Sequence, residues 1–269
     1  MKIPFTKAHG AKNDFLLTWA DSAPAFGLDE VARSICDRHT GIGADGWMLM
    51  ERGSGGEEHA SIQLYNSDGS TSEISGNGTR CVAAFLVHSG LAGDEVRIRT
   101  GAGVKRLWLI DSKDTAYRFE MDMGHPTYNE GERRLPFGVG AETLDVTILN
   151  VGNPQCVVFI DDFGIDWRRL GAEIECHSAF PNRTNVSFVR PLDGHALDVR
   201  FWERGAGETL SSGTGSTGAA FAAVLRGLVE SPVRVATPAG DLDLRLQDNG
   251  VFLTGPAELI GGGEFYARR

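Results

Sequence analysis

The sequence lacks the features that mark zinc-binding, secreted and membrane proteins. It has four cysteines without CxxC spacing, which argues against a zinc cage and fits a reduced, cytoplasmic protein. The apolar run of residues 81–87 is too short to span a membrane and ends at His88, Ser89 and Gly90. The first residues also lack the apolar stretch of a secretory signal. The cysteines are Cys36, Cys81, Cys156 and Cys176.

Positive charge and cofactor motifs are scarce as well. The chain carries 26 Lys and Arg against 36 Asp and Glu, a net charge of −10, so we expect no nucleic-acid partner. No cluster of His, Asp and Glu has metal-ligand spacing, and no phosphate-binding loop follows a Rossmann pattern. We therefore expect neither a metal nor an organic cofactor. With 269 residues, 41% of them hydrophobic, the chain is long enough for two ordinary cores.

What the sequence does contain is an internal duplication. Ser75-Gly-Asn-Gly-Thr precedes one apolar run, and Ser212-Gly-Thr-Gly-Ser precedes an Ala-rich one, at an offset of 137 residues. Before each motif comes a strand-like alternation, at residues 61–65 and 197–202. Farther upstream, each half has three apolar residues at helical spacing. These are Leu28, Val31 and Ile35 in the first half, and Trp167, Leu170 and Ile174 in the second.

The pattern predicts an α+β fold of two pseudo-symmetric domains. Each would be a mostly antiparallel sheet around a central helix that begins at the Gly-rich turn. We assign residues 1–114 to the first domain, with a strand at 260–269 returning to it, and residues 115–259 to the second. The polar residues 111–115 are the expected crossing between them.

The duplicated turns also suggest a chemistry. A helix N-terminus offers unpaired N–H groups and a positive dipole end, so it binds carboxylates. Glycines at 76, 78, 213 and 215 would let a ligand approach the backbone closely. Two such helix ends facing one ligand would stabilise the negative charge that develops when an α-proton is removed. The structural alternative is that Ser75 and Ser212 are only helix N-caps.

Several motifs resemble those of the diaminopimelate epimerase family, and the resemblance runs nearly end to end. The matching segments are His9–Phe15, Asp37–Asp45, Asn66–Gly69, Gly76–Cys81, Gly152–Pro154, Asn185–Val186, Glu203–Leu210, Gly213–Gly215 and Thr254–Ala257.

The resemblance implies cofactor-free inversion of LL-diaminopimelate to the meso form, in lysine and peptidoglycan biosynthesis. In this family two cysteines on opposite faces of the substrate remove and return the α-proton, and the substrate lies in a cleft between the domains. The resemblance also implies a cytoplasmic enzyme with a small-molecule substrate, and it suggests a homodimer. The two cysteine positions correspond to Ser75 and Ser212 in this chain.

These serines are the main departure from the family pattern. A hydroxyl is a far weaker acid than a thiol, so serine needs a helper base, for which His9 and Glu203 are candidates. Gln155 also stands where the family has a histidine, and Gly46 where it commonly has glutamine. Three interpretations of the serines stay open. They are engineered replacements that trap a substrate, natural residues of a divergent enzyme, or natural residues of a protein that binds without turnover.

The substrate-binding residues implied by the resemblance are better preserved. Arg204 and the amides suit a carboxylate, and Glu203 suits an ammonium group. Two alternatives remain beside the epimerase, namely a non-catalytic amino-acid-binding homologue and a different isomerase or dehydratase on the same fold. The expected contacts are Asn13, Asn66, Asn153, Asn185, Glu203 and Arg204, with Gly76, Asn77, Gly213 and Thr214 at the reacting carboxylate.

Overall fold

The computed structural model describes residues 1–53 and 58–267. Its described part is rich in strands and has four α-helices, which confirms the predicted α+β class. Short 3-10 turns occur at Ala20–Ser22 and Glu130–Glu132. No helix among the described residues is long and apolar enough to cross a membrane.

The helices are α1 (Leu28–Cys36), α2 (Gly76–His88), α3 (Trp167–Glu175) and α4 (Gly213–Leu225). The strands are β1 (Lys2–Gly10), β2 (Asn13–Trp19), β3 (Gly46–Arg52), β4 (Ala60–Asn66), β5 (Thr71–Ser72), β6 (Glu95–Thr100), β7 (Gly103–Lys113), β8 (Ala116–Gly124), β9 (Leu135–Val139), β10 (Glu142–Asn150), β11 (Pro154–Phe159), β12 (Asn185–Asp193), β13 (Ala196–Glu203), β14 (Gly207–Thr209), β15 (Val233–Thr237), β16 (Gly240–Gln247) and β17 (Gly250–Tyr266).

The chain folds as two compact units, and the first is discontinuous in sequence. It comprises Met1–Met121 and Gly255–Arg269. Its strands pair mostly antiparallel, and the exceptions are the parallel pairs β2–β3 and β4–β6. The last part of β17 pairs antiparallel with β1, so that Lys2 faces Tyr266.

The second unit, Asp122–Thr254, repeats this order of elements. Its antiparallel pairs are again interrupted by two parallel ones, β11–β12 and β13–β15. In each unit one helix connects the strands of the first parallel pair, and the other lies between the strands of the second. The repeat predicted from the two Ser-Gly-x-Gly motifs is therefore present in the secondary structure.

The helices that follow the two motifs are the buried ones. α2 and α4 each bury most of their residues, including Ala83 and Ala84 in α2 and Ala219 and Ala220 in α4. α1 and α3 are amphipathic and bury only one face. Burial on several sides is what a central helix requires, and small alanine side chains allow close contact with the surrounding strands.

Two motif glycines are needed for this packing. A Cβ at Gly78 would lie 2.0 Å from Met48 Cε, and a Cβ at Gly215 would lie 2.7 Å from Phe201 Cδ1. At Gly215 a larger residue would displace the Phe201 ring or the helix, whereas at Gly78 the end of the Met48 side chain would have to move. From the sequence we expect these glycines to admit a ligand to the backbone, and the structure gives Gly78 and Gly215 a role in helix packing.

The polar segment at residues 111–115 is not the crossing between units. Asp111–Lys113 belong to β7, which pairs with β8 across a tight turn with Asp114 at φ 56°. The crossings lie within β8, after Met121, and within β17, after Thr254. The segment is polar because it is an exposed hairpin end, and a hairpin end and a linker have similar compositions.

Candidate functional site

Ser75 is the N-cap of α2. Its backbone is extended, with φ −126° and ψ 118°, and its Oγ accepts a hydrogen bond from the Gly78 N–H at 3.1 Å. The Thr79 hydroxyl donates to the Ser75 carbonyl at 2.7 Å. The hydroxyl oxygen is therefore held at the positive end of the helix dipole. It accepts from one of the first-turn N–H groups of α2 that have no acceptor within the helix.

Ser212 has the same arrangement at the start of α4. Its Oγ accepts from the Gly215 N–H at 3.1 Å, with φ −134° and ψ 123°. Both serines are therefore N-caps of their helices. Capping does not exclude chemistry, because the N–H that donates to a hydroxyl would also stabilise an anion at the same position.

Neither helper-base candidate is bonded to the serine of its own unit. In the first unit, His9 Nε2 lies 3.4 Å from Glu258 Oε2. In the second, Glu203 Oε1 accepts from the Thr209 hydroxyl at 2.8 Å. Among the described residues of each unit, no His, Asp or Glu forms a hydrogen bond with the Ser75 or Ser212 hydroxyl.

Two of the predicted contact residues, Asn13 and Asn77, form a hydrogen-bonded amide pair in the first unit. The Asn77 amide nitrogen donates to Asn13 Oδ1 at 3.3 Å, and the Asn13 amide nitrogen donates to Asp45 Oδ2 at 2.6 Å. At the other end, Arg80 Nη2 donates to Asn77 Oδ1 at 2.5 Å. The chain Arg80–Asn77–Asn13–Asp45 thus links a buried cation to a carboxylate through two amides.

The carboxylate end of this chain is part of an ion cluster. Arg38 Nη2 lies 2.7 Å from Asp14 Oδ1 and 2.8 Å from Asp45 Oδ1, and Lys7 Nζ lies 3.1 Å from Asp14 Oδ2. Burial raises the pKa of Asp14, but the hydrogen bonds from Arg38 and Lys7 outweigh it and hold that pKa below its ordinary value. For Asp45, burial and the neighbouring Asp14 charge raise the pKa despite the bond from Asn13.

The second unit has a comparable amide network without a charged end. Gln155 Nε2 donates to Asn153 Oδ1 at 2.7 Å, and the Asn153 amide donates to the Thr214 hydroxyl at 3.3 Å. The Asn185 amide donates to the Pro154 carbonyl at 3.0 Å, and its Oδ1 accepts from the Arg204 backbone N–H at 3.0 Å. Four predicted contact residues, Asn153, Asn185, Arg204 and Thr214, are therefore joined by backbone and side-chain bonds around the loop that precedes β11.

The turn that carries Glu203 and Arg204 is held by a buried carboxylate. Glu175, which is 5% exposed, accepts from the Gly205 N–H at 2.8 Å and from Trp202 Nε1 at 2.9 Å. Arg183 Nη2 lies 2.9 Å from the same carboxylate. Glu175 is the last residue of α3, so this helix fixes the turn that follows β13.

Asn66 makes local turn contacts in the structure. Its amide nitrogen donates to the hydroxyls of Ser70 and Ser72, both at 3.0 Å. This is the turn chemistry expected of an asparagine at the end of a strand that leads into a tight turn. The Asn66 amide is therefore fixed in orientation by the β4–β5 turn.

Arg80, Asp45 and Glu175 were not assigned roles from the sequence. Arg80 and Asp45 lie inside the quoted motifs, but pattern matching alone gave them no function. One signal was available for Arg80, because a cation near a helix N-terminus opposes the dipole and calls for an explanation. Glu175 gave no signal, since an acidic residue near the end of an amphipathic helix is usually exposed.

Comparison with known proteins identifies the family. The family model for diaminopimelate epimerase matches residues 5–129 and 147–260. The chain is 36% identical to the diaminopimelate epimerase of Pelotomaculum thermopropionicum, over 97% of this chain and 98% of that protein. It is 38% identical to that of Moorella thermoacetica, with the same coverage of both chains.

Solved structures share the fold at low sequence identity. A probable proline racemase from Agrobacterium radiobacter superposes with a TM-score of 0.78 at 15% identity, covering 97% of this chain and 92% of that one. A hydroxyproline epimerase from Agrobacterium vitis gives a TM-score of 0.75 at 16% identity, covering 98% and 92%. With nearly full-length coverage by the family model and by its relatives, the chain belongs to the diaminopimelate epimerase family and thus to the isomerases.

Proposed function

We propose that the protein acts on diaminopimelate in the cytoplasm and inverts one α-carbon from the LL to the meso form without a cofactor. The observation that carries the proposal is the duplicated cap geometry. Ser75 Oγ and Ser212 Oγ, the two family proton-transfer positions, each accept an N–H at 3.1 Å from the first turn of a buried helix. An atom held in this way is stabilised when it carries negative charge.

In this reaction one group takes the α-proton from one face of the carbon, and the second group delivers a proton to the other face. The charge left on the substrate spreads onto its carboxylate, for which the turns Gly76-Asn77 and Gly213-Thr214 would supply N–H donors. Asn66, Asn153, Asn185, Glu203 and Arg204 would hold the distal amino-acid end, and Asn13 would add a contact. An amide, a guanidinium and a carboxylate suit a zwitterionic substrate.

The serines set the expected rate. A hydroxyl supplies almost no base at neutral pH without a helper, and neither serine is hydrogen-bonded to a base in its own unit. A thiol at the same helix N-terminus would be activated, because the dipole favours the thiolate. We therefore propose low or absent turnover for the Ser75/Ser212 form.

The second candidate is a protein that binds an amino acid without turnover. It is favoured by the N-cap role of both serines, which gives each hydroxyl a structural function that needs no proton transfer. A different isomerase or a dehydratase on this fold is a third candidate. The distal-end residues, which match the diaminopimelate pattern, argue against the third. We also propose a homodimer, by analogy with the family.

Proton NMR of LL-diaminopimelate in deuterated water tests the proposal. We expect the protein to exchange the α-proton slowly or not at all, and the Ser75→Cys/Ser212→Cys variant to exchange it readily. Silence from both forms would contradict the proposed substrate. Exchange by the serine form at a useful rate would instead show that serine with a helper group is sufficient.

A binding measurement separates the first two candidates from the third. By calorimetry, we expect Arg204→Ala and Glu203→Gln each to weaken diaminopimelate binding by about tenfold or more, because each removes a charge-assisted hydrogen bond. Arg234→Ala serves as a control, since its exposed side chain makes a long ion pair of 3.9 Å with Asp241. Unchanged affinity in both site variants would contradict diaminopimelate as the ligand.

A further inference from the structure

Arg80 is a buried cation without a bonded counter-ion. The Arg80 side chain is completely buried, with 0% of its surface exposed. Its Nε donates to the Pro256 carbonyl at 3.1 Å and its Nη2 donates to Asn77 Oδ1, but Nη1 has no hydrogen-bond partner among the described residues. No carboxylate within those residues forms an ion pair with it. Burial lowers the pKa of Arg80 to about 10, so the group is still charged at neutral pH.

The position of this charge is unusual. Arg80 is the fifth residue of α2, and helical side chains point back toward the N-terminus. Its bond to Asn77 shows that the guanidinium reaches the first turn of the helix. A cation there repels the positive end of the dipole. The arrangement therefore costs stability in the absence of an anion and favours a site where negative charge is bound or develops.

The same bond fixes an amide orientation. The Arg80 cation can only donate, so it selects the oxygen of Asn77, and the Asp45 carboxylate can only accept, so it selects the nitrogen of Asn13. The remaining bond then runs from the Asn77 nitrogen to the Asn13 oxygen. Charged groups at both ends thus allow a single orientation of the two amides.

The second unit differs at the matching positions. Thr217 is in register with Arg80, and its hydroxyl donates to the Gly213 carbonyl within α4. The hydrogen-bonded groups of its amide chain, Gln155, Asn153 and Thr214, are all uncharged. The two halves therefore share the cap geometry but differ in charge.

We propose that Arg80 is a positioning residue of the Ser75 half-site, where it fixes the Asn77–Asn13 amide pair and adds a positive charge that Thr217, at the matching position, does not supply to the Ser212 half-site. This rests on the proposed function, in which positions 75 and 212 transfer protons. It implies that the two positions are not equivalent. The first is the better place for an anion, so it is the position at which the base of the resting protein would be held.

Alkylation of single introduced thiols measures this difference without any turnover. Ser75→Cys and Ser212→Cys are each made in a Cys176→Ser background, because Cys176 is the exposed native thiol. Each variant is treated with anionic iodoacetate and with neutral iodoacetamide at one pH. The ratio of the two rates reports the local charge, since thiolate content and access affect two reagents of nearly equal size alike.

We expect the iodoacetate-to-iodoacetamide ratio at position 75 to exceed that at position 212. Adding Arg80→Met should lower the ratio at position 75 by about threefold or more, since one nearby unit charge is removed. Arg80→Lys should retain most of the ratio. Thr217→Val is the matched control in the second unit and should leave the ratio at position 212 unchanged.

Equal ratios at the two positions in the parent proteins would overturn the proposal, and this comparison does not depend on how well Arg80→Met folds. A ratio at position 75 that survives Arg80→Met in a protein with native circular dichroism would also overturn it. A failure of diaminopimelate exchange would count against the proposed function alone, because the alkylation ratio involves no substrate.

Discussion

At the scale of single residues, Ser75 and Ser212 combine two roles in one atom. Each Oγ caps a helix through an N–H of the first turn, and the same contact is what a proton-transfer group at that position would use. A cysteine at either position keeps the geometry but is a poorer cap, whereas serine is a good cap and a poor base. Function and helix stability therefore favour different residues at these positions.

The capping role predicts a stability effect at each serine. Ser75→Ala and Ser212→Ala should each lower the free energy of unfolding by about 1 kcal/mol, because a buried N–H loses its acceptor. Urea denaturation measures the change. Ser89→Ala is the control, since this exposed serine follows α2, and its replacement should shift stability by less than about 0.5 kcal/mol. Site variants no less stable than the control would contradict a structural role.

At the scale of elements, α3 determines the conformation of a turn through its last residue. Glu175→Gln should destabilise the protein by about 1–3 kcal/mol, because the amide cannot replace both carboxylate oxygens that accept from Gly205 and Trp202. It should also weaken diaminopimelate binding, since Arg204 lies in that turn. Urea denaturation and calorimetry check both effects.

Glu173→Gln is the matched control for this change. Glu173 lies in the same helix but is exposed, and it forms an i,i+4 ion pair with Arg169. Such pairs contribute little, so we expect a change below about 0.5 kcal/mol. Equal effects of the two substitutions would show that Glu175 does not hold the turn.

The contact between β1 and α2 gives a second prediction at this scale. A Cβ at Gly10 would lie 2.9 Å from the Asn77 carbonyl oxygen. Gly10→Ala should therefore shift the first turn of α2, lower stability by about 1–3 kcal/mol, and reduce exchange in the Ser75→Cys/Ser212→Cys protein. Gly93→Ala is the control, because a Cβ there meets nothing within 4 Å. Full exchange activity in the Gly10→Ala form would contradict the prediction.

At the scale of the whole molecule, the sequence predicted the elements better than their connections. The helical spacing of Leu28, Val31 and Ile35 and the copy at Trp167 correspond to α1 and α3, because periodicity reports which face is buried. The predicted position of the crossing between units, residues 111–115, was wrong, because a polar composition does not distinguish the end of a hairpin from a linker. The contacts of Glu175 with Trp202 and Gly205 also could not be predicted, because they join residues that are distant in sequence.

The buried thiols predict how the stability of the molecule depends on alkaline pH. Burial raises the pKa of Cys36, Cys81 and Cys156 from 9.0 to about 12. These thiols ionise near the ordinary value once the chain unfolds, so their contribution is complete below pH 9.0 and is lost as the pH rises toward 12. The urea midpoint should therefore fall across this range, and the thiols should resist alkylation in the folded protein at pH 8.

The triple variant Cys36→Ala/Cys81→Ala/Cys156→Ala isolates this contribution from the titration of tyrosines and lysines. It should be less stable overall, but its stability should fall less steeply between pH 9 and pH 11. If stability fell equally steeply with pH in both proteins, the ionisation of the buried thiols would not explain the alkaline loss of stability.

The chain passes from one unit to the other within β8 and again within β17. As a result, one unit is continuous in the sequence and the other is not. The second unit is one continuous insertion, residues 122–254, whereas the first is interrupted and recovers its strand beside β1 only at the end of the chain. A gene fragment can therefore encode the whole second unit, but no single fragment shorter than the full chain can encode the first. Truncation before residue 255 would leave β1 without a partner strand along one edge, and a free edge is prone to aggregation. During synthesis, the half translated first is thus the one that finishes folding last.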